Sequence, residues 1–444
     1  MSFLLITTMT LLAIITFLWV IGASQHTNLY SLRNLFLAVW LYYGFSIGID
    51  LITGAEIPYT SGEIYMMDPA SWPRVAFVMW CYLLCGISFL VTYAIMQGKR
   101  PSRPLELRYA LRTPHEWVII LIHIFVAYFY VQIFFGLDRM ERLAIAQQYP
   151  SYKFAQLLVP LALSMDIIIV LCGNNRKSML CVVLALFLGL VTGNRSYVML
   201  VVLVGTFHWR PKLQGWKLVG IVGSCAFMVF AFKTLYAVGL SWYVGQRVDM
   251  QMIYDNLHFT LSGLDADASY AIASFYTGHE SPMWFGTSYV KTPLLLAWPR
   301  FLGGIDVTTL AEDYVWAYHI TTARRGGALA FSAIAEAWLN FSYCGPVLLG
   351  IFWGVLANFF DNRSRGIAYF IVVLMVARLF RSDTASLVKN WILVWGTMFA
   401  LAMILLTLYS VVMEPKTSFT SQRKASNGNL PNELPNSELS GSHS

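Results

Sequence analysis

Two polar residues, Glu336 and Asn340, interrupt an apolar stretch and are the first candidates for chemistry. The stretch runs from Gly327 to Gly345, and its apolar residues recur with the period of a helix. A spacing of four residues places both side chains on one helix face, which Ser332 is predicted to share one turn earlier. A carboxylate in such surroundings is costly, so Glu336 is a candidate general base. The alternative is a hydrogen-bonded pair that only joins helices.

Four arginines form a second group of candidates. Arg195 lies in a polar turn between two apolar runs, Arg300 follows a Trp-Pro pair, and Arg324 and Arg325 are adjacent. A guanidinium group stays charged and matches two phosphate oxygens at once. We expect these arginines to bind an anionic ligand. Alternatively, they pair with nearby acids or reach lipid headgroups.

His319 precedes the arginine pair and is a second candidate base, because a histidine titrates near neutral pH. The triplet Asp265-Ala266-Asp267 looks like the DxD of metal-dependent glycosyltransferases, but so short a motif is weak. The six cysteines lie within or beside apolar runs without metal-ligand spacing. The sequence therefore predicts neither a metal nor another cofactor.

The elements that position these residues are membrane helices. The chain is 57% hydrophobic and only 12% charged, and its apolar runs reach the roughly 20 residues that span a bilayer. Such runs must be helical, because lipid offers no partner to backbone polar groups. About eleven spans are predicted, the sixth and seventh being short enough to form a hairpin instead: Phe3–Ile21, Leu35–Ile52, Val75–Ile95, Val118–Phe135, Phe154–Leu171, Met179–Val191, Tyr197–Phe207, Leu218–Val238, Pro346–Phe360, Ala368–Phe380 and Trp391–Val411.

Basic residues in the short loops predict the orientation of the spans. Placing those loops in the cytoplasm exports the N-terminus and one long loop, Gly239–Ala328. The domains are thus predicted as a helix bundle over 1–238, the external loop over 239–328, further spans over 329–412 and a disordered cytoplasmic tail over 413–444. The net charge of +7 belongs to the short loops, so we expect no nucleic-acid partner.

Three motifs in this order resemble the Wzy-type O-antigen polymerases, which polymerise oligosaccharide repeat units. They are a Gly-x-Arg turn (Gly193-Asn194-Arg195-Ser196), a stretch in the long loop (Gly286-Thr287-Ser288-Tyr289 to Pro299-Arg300), and a Ser-x-x-x-Glu-x-x-x-Asn-Phe element (Ser332, Glu336, Asn340, Phe341) before Gly345. The layout of many spans and one dominant loop also agrees. The resemblance implies an all-α polytopic fold of the GT-C-like polymerase and ligase type, in the bacterial inner membrane.

The resemblance also implies a reaction. A glycan on undecaprenyl diphosphate is transferred at the periplasmic face onto another lipid-linked repeat unit, without a metal. Glu336 or His319 would then be the base, Arg195, Arg300, Arg324 and Arg325 would hold diphosphates, and Asn340 would belong to the substrate site. Tyr289 and Trp298 would stack on sugar rings, and a chain-length regulator protein is an expected partner of the family.

Two alternatives remain open at this point. An O-antigen ligase shares the architecture and typically has a histidine in its catalytic loop, for which His319 is available. A flippase or transporter of lipid-linked sugars would use the intramembrane charges Asp50, Asp166, Lys233 and Arg378. The long external loop and the lack of internal repeats disfavour the transporter.

Overall fold

The computed structural model describes residues 2–23, 31–53, 72–97, 113–134, 150–172, 175–192, 285–297, 309–318, 331–362 and 367–412, with isolated positions between 200 and 253 and at 320. Within these ranges the chain is helical and contains no strand. The predicted all-α fold is therefore confirmed for the part of the chain that the structure describes.

Twelve helices are labelled here in chain order. They are α1 (Ser2–Ala23), α2 (Leu32–Thr53), α3 (Trp72–Met96), α4 (Glu116–Phe134), α5 (Pro150–Leu171), α6 (Asn175–Thr192), α7 (Thr287–Ala297), α8 (Leu310–Tyr318), α9 (Ala333–Phe341), α10 (Cys344–Asp361), α11 (Ile367–Arg378) and α12 (Thr384–Val412). A 3₁₀ turn, Leu379–Arg381, precedes α12, and a π-helical segment, Val388–Trp395, lies within it.

The predicted spans agree with these helices wherever the structure describes them. The first six and the last three each overlap a helix, and α3, α10 and α12 are long and apolar enough to cross a bilayer. The chain is accordingly a membrane protein. The predicted span Leu218–Val238 and much of Tyr197–Phe207 lie outside the described residues, so the number of eleven stays a prediction.

Helices α3 and α10 pack closely, because two glycines of α10 let the backbones meet. An added Cβ on Gly350 would overlap the Ser88 side chain and the Cys85 carbonyl, and one on Gly354 would lie 2.9 Å from the Phe89 carbonyl oxygen. Small residues four apart are a common way for membrane helices to approach. Since the second glycine meets the later residues of α3, the two helices run parallel.

Asp361, the last residue of α10, ties three helices together at one end of the bundle. Its carboxylate accepts hydrogen bonds from the backbone N–H groups of Leu32 (2.8 Å) and Arg33 (3.2 Å) at the start of α2. The Tyr93 hydroxyl, near the end of α3, donates to the same carboxylate at 3.1 Å. The start of α2 thus shares an end with the ends of α3 and α10, as the predicted alternation requires.

A buried histidine and carboxylate join α4 to α5. His123 Nε2 lies 2.9 Å from Asp166 Oδ2, and His123 Nδ1 lies 2.8 Å from the Ile119 carbonyl oxygen. Both side chains are almost inaccessible. Asp166, one of the four intramembrane charges that the sequence contains, therefore has a partner on the neighbouring helix.

Candidate functional site

Helix α9 carries Glu336 and is buried on all sides. Every residue from Ala333 to Asn340 is buried, as expected for a helix that is apolar around most of its circumference. Ser332 caps its N-terminus, with Oγ accepting from the Ile334 N–H at 3.2 Å. Ser332 therefore lies one turn before Glu336, whose N–H donates to the Ser332 carbonyl at 3.0 Å, and it also caps the helix.

The helix ends at a tight turn into α10. Ser342 has a positive φ of 53°, and its N–H donates to the Trp338 carbonyl at 2.7 Å. Gly345 packs directly on the backbone of Ala337. A side chain at Gly345 would push α10 away from α9, so this glycine fixes the position of Glu336 relative to the long helix.

Glu336 and Asn340 lie on one face of α9 and both contact Ser288 of α7. The Ser288 hydroxyl donates to Glu336 Oε1 at 2.7 Å and accepts from Asn340 Nδ2, also at 2.7 Å. Asn340 Nδ2 donates in addition to the Glu336 carbonyl at 2.8 Å. The predicted one-face arrangement is confirmed, and a serine from a distant segment completes it.

A left-handed turn before α7 brings Ser288 to this position. Phe285 and Gly286 have φ values of 46° and 81°, and the Phe285 N–H donates to the Asn340 carbonyl at 3.0 Å. An added Cβ on Gly286 would lie only 3.3 Å from the Phe341 ring, so glycine suits both the conformation and the space. Tyr289, one residue beyond Ser288, stacks on Phe341 with ring centres 6.1 Å apart.

A second buried carboxylate, Asp383, lies at the start of α12 beside Glu336. Glu336 Oε2 accepts from the Thr384 N–H at 2.6 Å. Asp383 accepts from the Ser386 N–H at 3.0 Å and from the Leu310 N–H of α8 at 2.8 Å. Glu336 is 1% exposed and Asp383 is 0% exposed. The two acids therefore lie where α7, α8, α9 and α12 meet.

Burial and mutual repulsion determine how Glu336 titrates. Burial, followed by the negative charge of Asp383, raises the pKa of Glu336 to about 7, against the hydrogen bonds from Thr384 and Ser288. Burial also raises the pKa of Asp383. A carboxyl group that titrates near neutral pH can take up and release a proton under ordinary conditions. The cluster is thus suited to proton transfer.

The comparison with protein families covers this part of the chain. Residues 305–413 match the family model of the O-antigen polysaccharide polymerase Wzy. No curated protein and no solved structure matches the chain. The predicted resemblance to this family is confirmed over the matched segment, which contains the third of the three motifs.

The Wzy-matched segment contains Glu336, Asn340 and Asp383. The structure brings Glu336, Asn340 and Tyr289 of the predicted site together. The other predicted site residues lie outside the described residues, or have undescribed side chains: Arg195, Arg300, Arg324, Arg325, His319 and Trp298. Their assigned roles stay predictions.

Sequence reasoning did not select Ser288, Asp383 or Thr384. Ser288 lies inside a motif that was noted for its glycine and tyrosine, and Asp383 has the pattern of a helix N-cap, with Ser386 three residues later. A local pattern does not show which distant helix a capping carboxylate also contacts.

Among the described residues, no three His, Cys, Asp or Glu side chains come close enough to bind one metal ion.

A cavity between the described helices is a separate feature. It has a volume of about 470 Å³ and lies between α4, α5 and α12, lined mainly by apolar residues such as Leu121, Phe125, Leu161 and Leu405. None of the residues in the Glu336 cluster lines this cavity.

Proposed function

We propose that this protein polymerises oligosaccharide repeat units carried on undecaprenyl diphosphate, at the periplasmic face of the bacterial inner membrane and without a metal. The observation that carries the proposal is the Wzy match over residues 305–413. A buried cluster with a titratable carboxylate lies within that segment. A purely structural segment has no need of such a group, whose burial is costly.

Glu336 is the general base in the proposed reaction. In the free protein the Ser288 hydroxyl donates a hydrogen bond to Glu336 Oε1. In the reaction, the hydroxyl of the acceptor sugar replaces the Ser288 hydroxyl as the donor to this oxygen. As the hydroxyl loses its proton to Glu336, its oxygen bonds to the anomeric carbon of the growing glycan. The bond between that carbon and the diphosphate breaks, and undecaprenyl diphosphate leaves with the electron pair. His319 is the second candidate for the base.

The arginines bind the diphosphates in this proposal. Arg195, Arg300, Arg324 and Arg325 stabilise the negative charge that develops on the leaving group, as fixed cations do in other transfer reactions. Trp298 stacks on a sugar ring. Tyr289 already packs one ring face on Phe341, so only its other face is offered to a sugar.

A gel of surface polysaccharide tests the function. A strain lacking the gene is complemented with the wild-type chain or with Glu336→Gln, at matched protein abundance in the membrane. We expect a ladder of chain lengths with the wild type and a single repeat unit on lipid A core with the variant. Polymer that stays unlinked to lipid A core in the deletion strain would indicate the ligase instead, and lipid-linked units retained on the cytoplasmic leaflet would indicate the flippase.

A chain-length regulator is part of the same proposal. Co-expression of such a regulator from the host strain is expected to narrow the ladder around a preferred length. The wild-type chain alone is expected to give a broader ladder that decays smoothly with length.

A further inference from the structure

Asp383 lies beside Glu336 in the structure, although it belongs to none of the motifs found in the sequence. It precedes Thr384, whose N–H donates to Glu336 Oε2. The Glu336 carboxylate is therefore hydrogen-bonded to the residue that directly follows Asp383 at the start of α12. Both are buried, and they belong to different helices. Two buried acids close to each other repel when both are charged, and this repulsion disfavours ionisation of both together.

We propose that Asp383 is a positioning residue for the transfer reaction, one that fixes the start of α12 and holds Glu336 ready to accept the proton of the acceptor hydroxyl. This inference rests on the proposed function and deepens it. Asp383 touches neither substrate nor leaving group. It acts through the position of Thr384 and through its own negative charge.

The positional part follows from the helix ends that Asp383 joins. One oxygen accepts from the Ser386 N–H of its own helix, and the other accepts from the Leu310 N–H at the start of α8. Thr309 and Glu312 satisfy two further N–H groups of α8 reciprocally, at 2.9 and 3.2 Å. Asp383 thus connects the N-termini of α8 and α12, and this orients the Thr384 N–H towards Glu336.

The electrostatic part follows from the groups around Glu336. Besides Asp383, Tyr289 faces it from α7, and Arg381 lies on the 3₁₀ turn that packs against α9. Glu312 and Asp313 are at the exposed start of α8. Burial and the charge of Asp383 are the two influences that raise the pKa of Glu336.

The charge of the two buried carboxylates also indicates where the donor diphosphate and the acceptor sugar bind. Negative charge repels a diphosphate, so the donor diphosphate binds at the arginines and not beside Glu336 and Asp383. The neutral hydroxyl of the acceptor sugar meets no such repulsion. The carboxylate cluster is therefore the acceptor subsite.

A pH profile of polymerisation tests the role of Asp383. The full-length protein is reconstituted in lipid nanodiscs, and the substrate is the lipid-linked repeat unit extracted from the deletion strain. In the wild type we expect the rate to fall on the acidic side of about pH 7. In Asp383→Asn the charge is removed, and the acidic limb is expected to move down by about one pH unit. At pH 6 that shift corresponds to an about fivefold higher fraction of the maximal rate.

Glu312→Gln is the matched control, because it removes a negative charge from the neighbouring helix start at an exposed position. It is expected to leave the limb in place. Asp383→Ser, which keeps a capping oxygen without the charge, is the second variant and is expected to shift the limb like Asp383→Asn.

An infrared titration of the Glu336 carboxyl band, with Glu336→Gln for assignment, measures the same shift without substrate. A wild type that elongates nothing contradicts the proposed function, while the infrared shift still tests Asp383. The inference is overturned if the wild type elongates the glycan while both Asp383 variants keep the wild-type acidic limb of the pH profile and the wild-type infrared titration of Glu336. Loss of folding in both variants, with Glu336→Gln folded, also overturns it, because Asp383 would then be purely structural.

Discussion

The Ser288 hydroxyl donates to Glu336 Oε1 across 2.7 Å, although the two residues are 48 positions apart in the chain. The same hydroxyl accepts from Asn340. The charged form of Glu336 is thus stabilised by one hydrogen bond from α7 and a second one from α12. This arrangement makes the ionisation of Glu336 sensitive to both neighbouring helices.

Ser288→Ala is expected to shift the acidic limb of the polymerisation profile to higher pH. The variant removes a hydrogen bond to the carboxylate, so the pKa of Glu336 rises further above its usual value. The shift is opposite in direction to that of Asp383→Asn. We also expect the free energy of unfolding to fall by about 1–3 kcal/mol, because the buried Glu336 and Asn340 side chains each lose one hydrogen-bond partner. Thr287→Ala, at the exposed neighbouring position, is the control, and an equal effect there would rule out the specific role of Ser288.

The stability of the protein is expected to fall between about pH 4.5 and pH 7 through Glu336. Its folded pKa of about 7 lies above the ordinary value of 4.5, so the folded state binds more protons than the unfolded state across this range. Unfolding therefore becomes easier as pH rises, by about 3 kcal/mol in total, and the effect is complete above pH 7. Asp383 contributes in the same direction.

Glu336→Gln is expected to flatten this dependence, because the glutamine does not titrate. Thermal unfolding of the purified full-length protein at several pH values measures the difference. The variant loses one acceptor oxygen towards Ser288 or Thr384, so its stability at low pH is expected to be below that of the wild type. A pH dependence as steep as in the wild type would show that Glu336 does not titrate with the raised pKa.

Long apolar runs in the sequence predicted most described helices, and a spacing of four predicted that Glu336 and Asn340 share a face. These features are local, and lipid makes them strongly restrictive because a spanning segment must be helical. The meeting of Ser288 with Glu336, and of Asp383 with Leu310, depends on which helices pack together. Such contacts leave no local signal, which is why the sequence alone did not single out Ser288 or Asp383.

Gly350→Ala is expected to destabilise the protein by about 1–3 kcal/mol, because the added methyl group meets the Cys85 carbonyl and the Ser88 side chain. The separation of α3 from α10 would also displace α9, which the Gly345 turn joins to α10, so polymer length is expected to shorten. Gly396→Ala is the control, since a Cβ there has no neighbour within 4 Å. It is expected to leave stability unchanged or to raise it slightly, because alanine favours a helix. Equal losses in the two variants would contradict the close approach of α3 and α10.

The buried pair of His123 and Asp166 gives the last prediction. Removing one partner leaves the other buried without its hydrogen bond, so His123→Ala is expected to cost about 3–5 kcal/mol of stability. Replacing both residues with apolar ones, as in His123→Phe with Asp166→Leu, removes the uncompensated group and is expected to recover most of the loss. Fluorescence-detected gel filtration after heating compares the single and double variants at equal expression. If the double variant is as unstable as the single one, the histidine contributes through packing against α5 and not through the carboxylate. Polymer length in the recovered double variant should equal that of the wild type, because the pair does not belong to the Glu336 cluster.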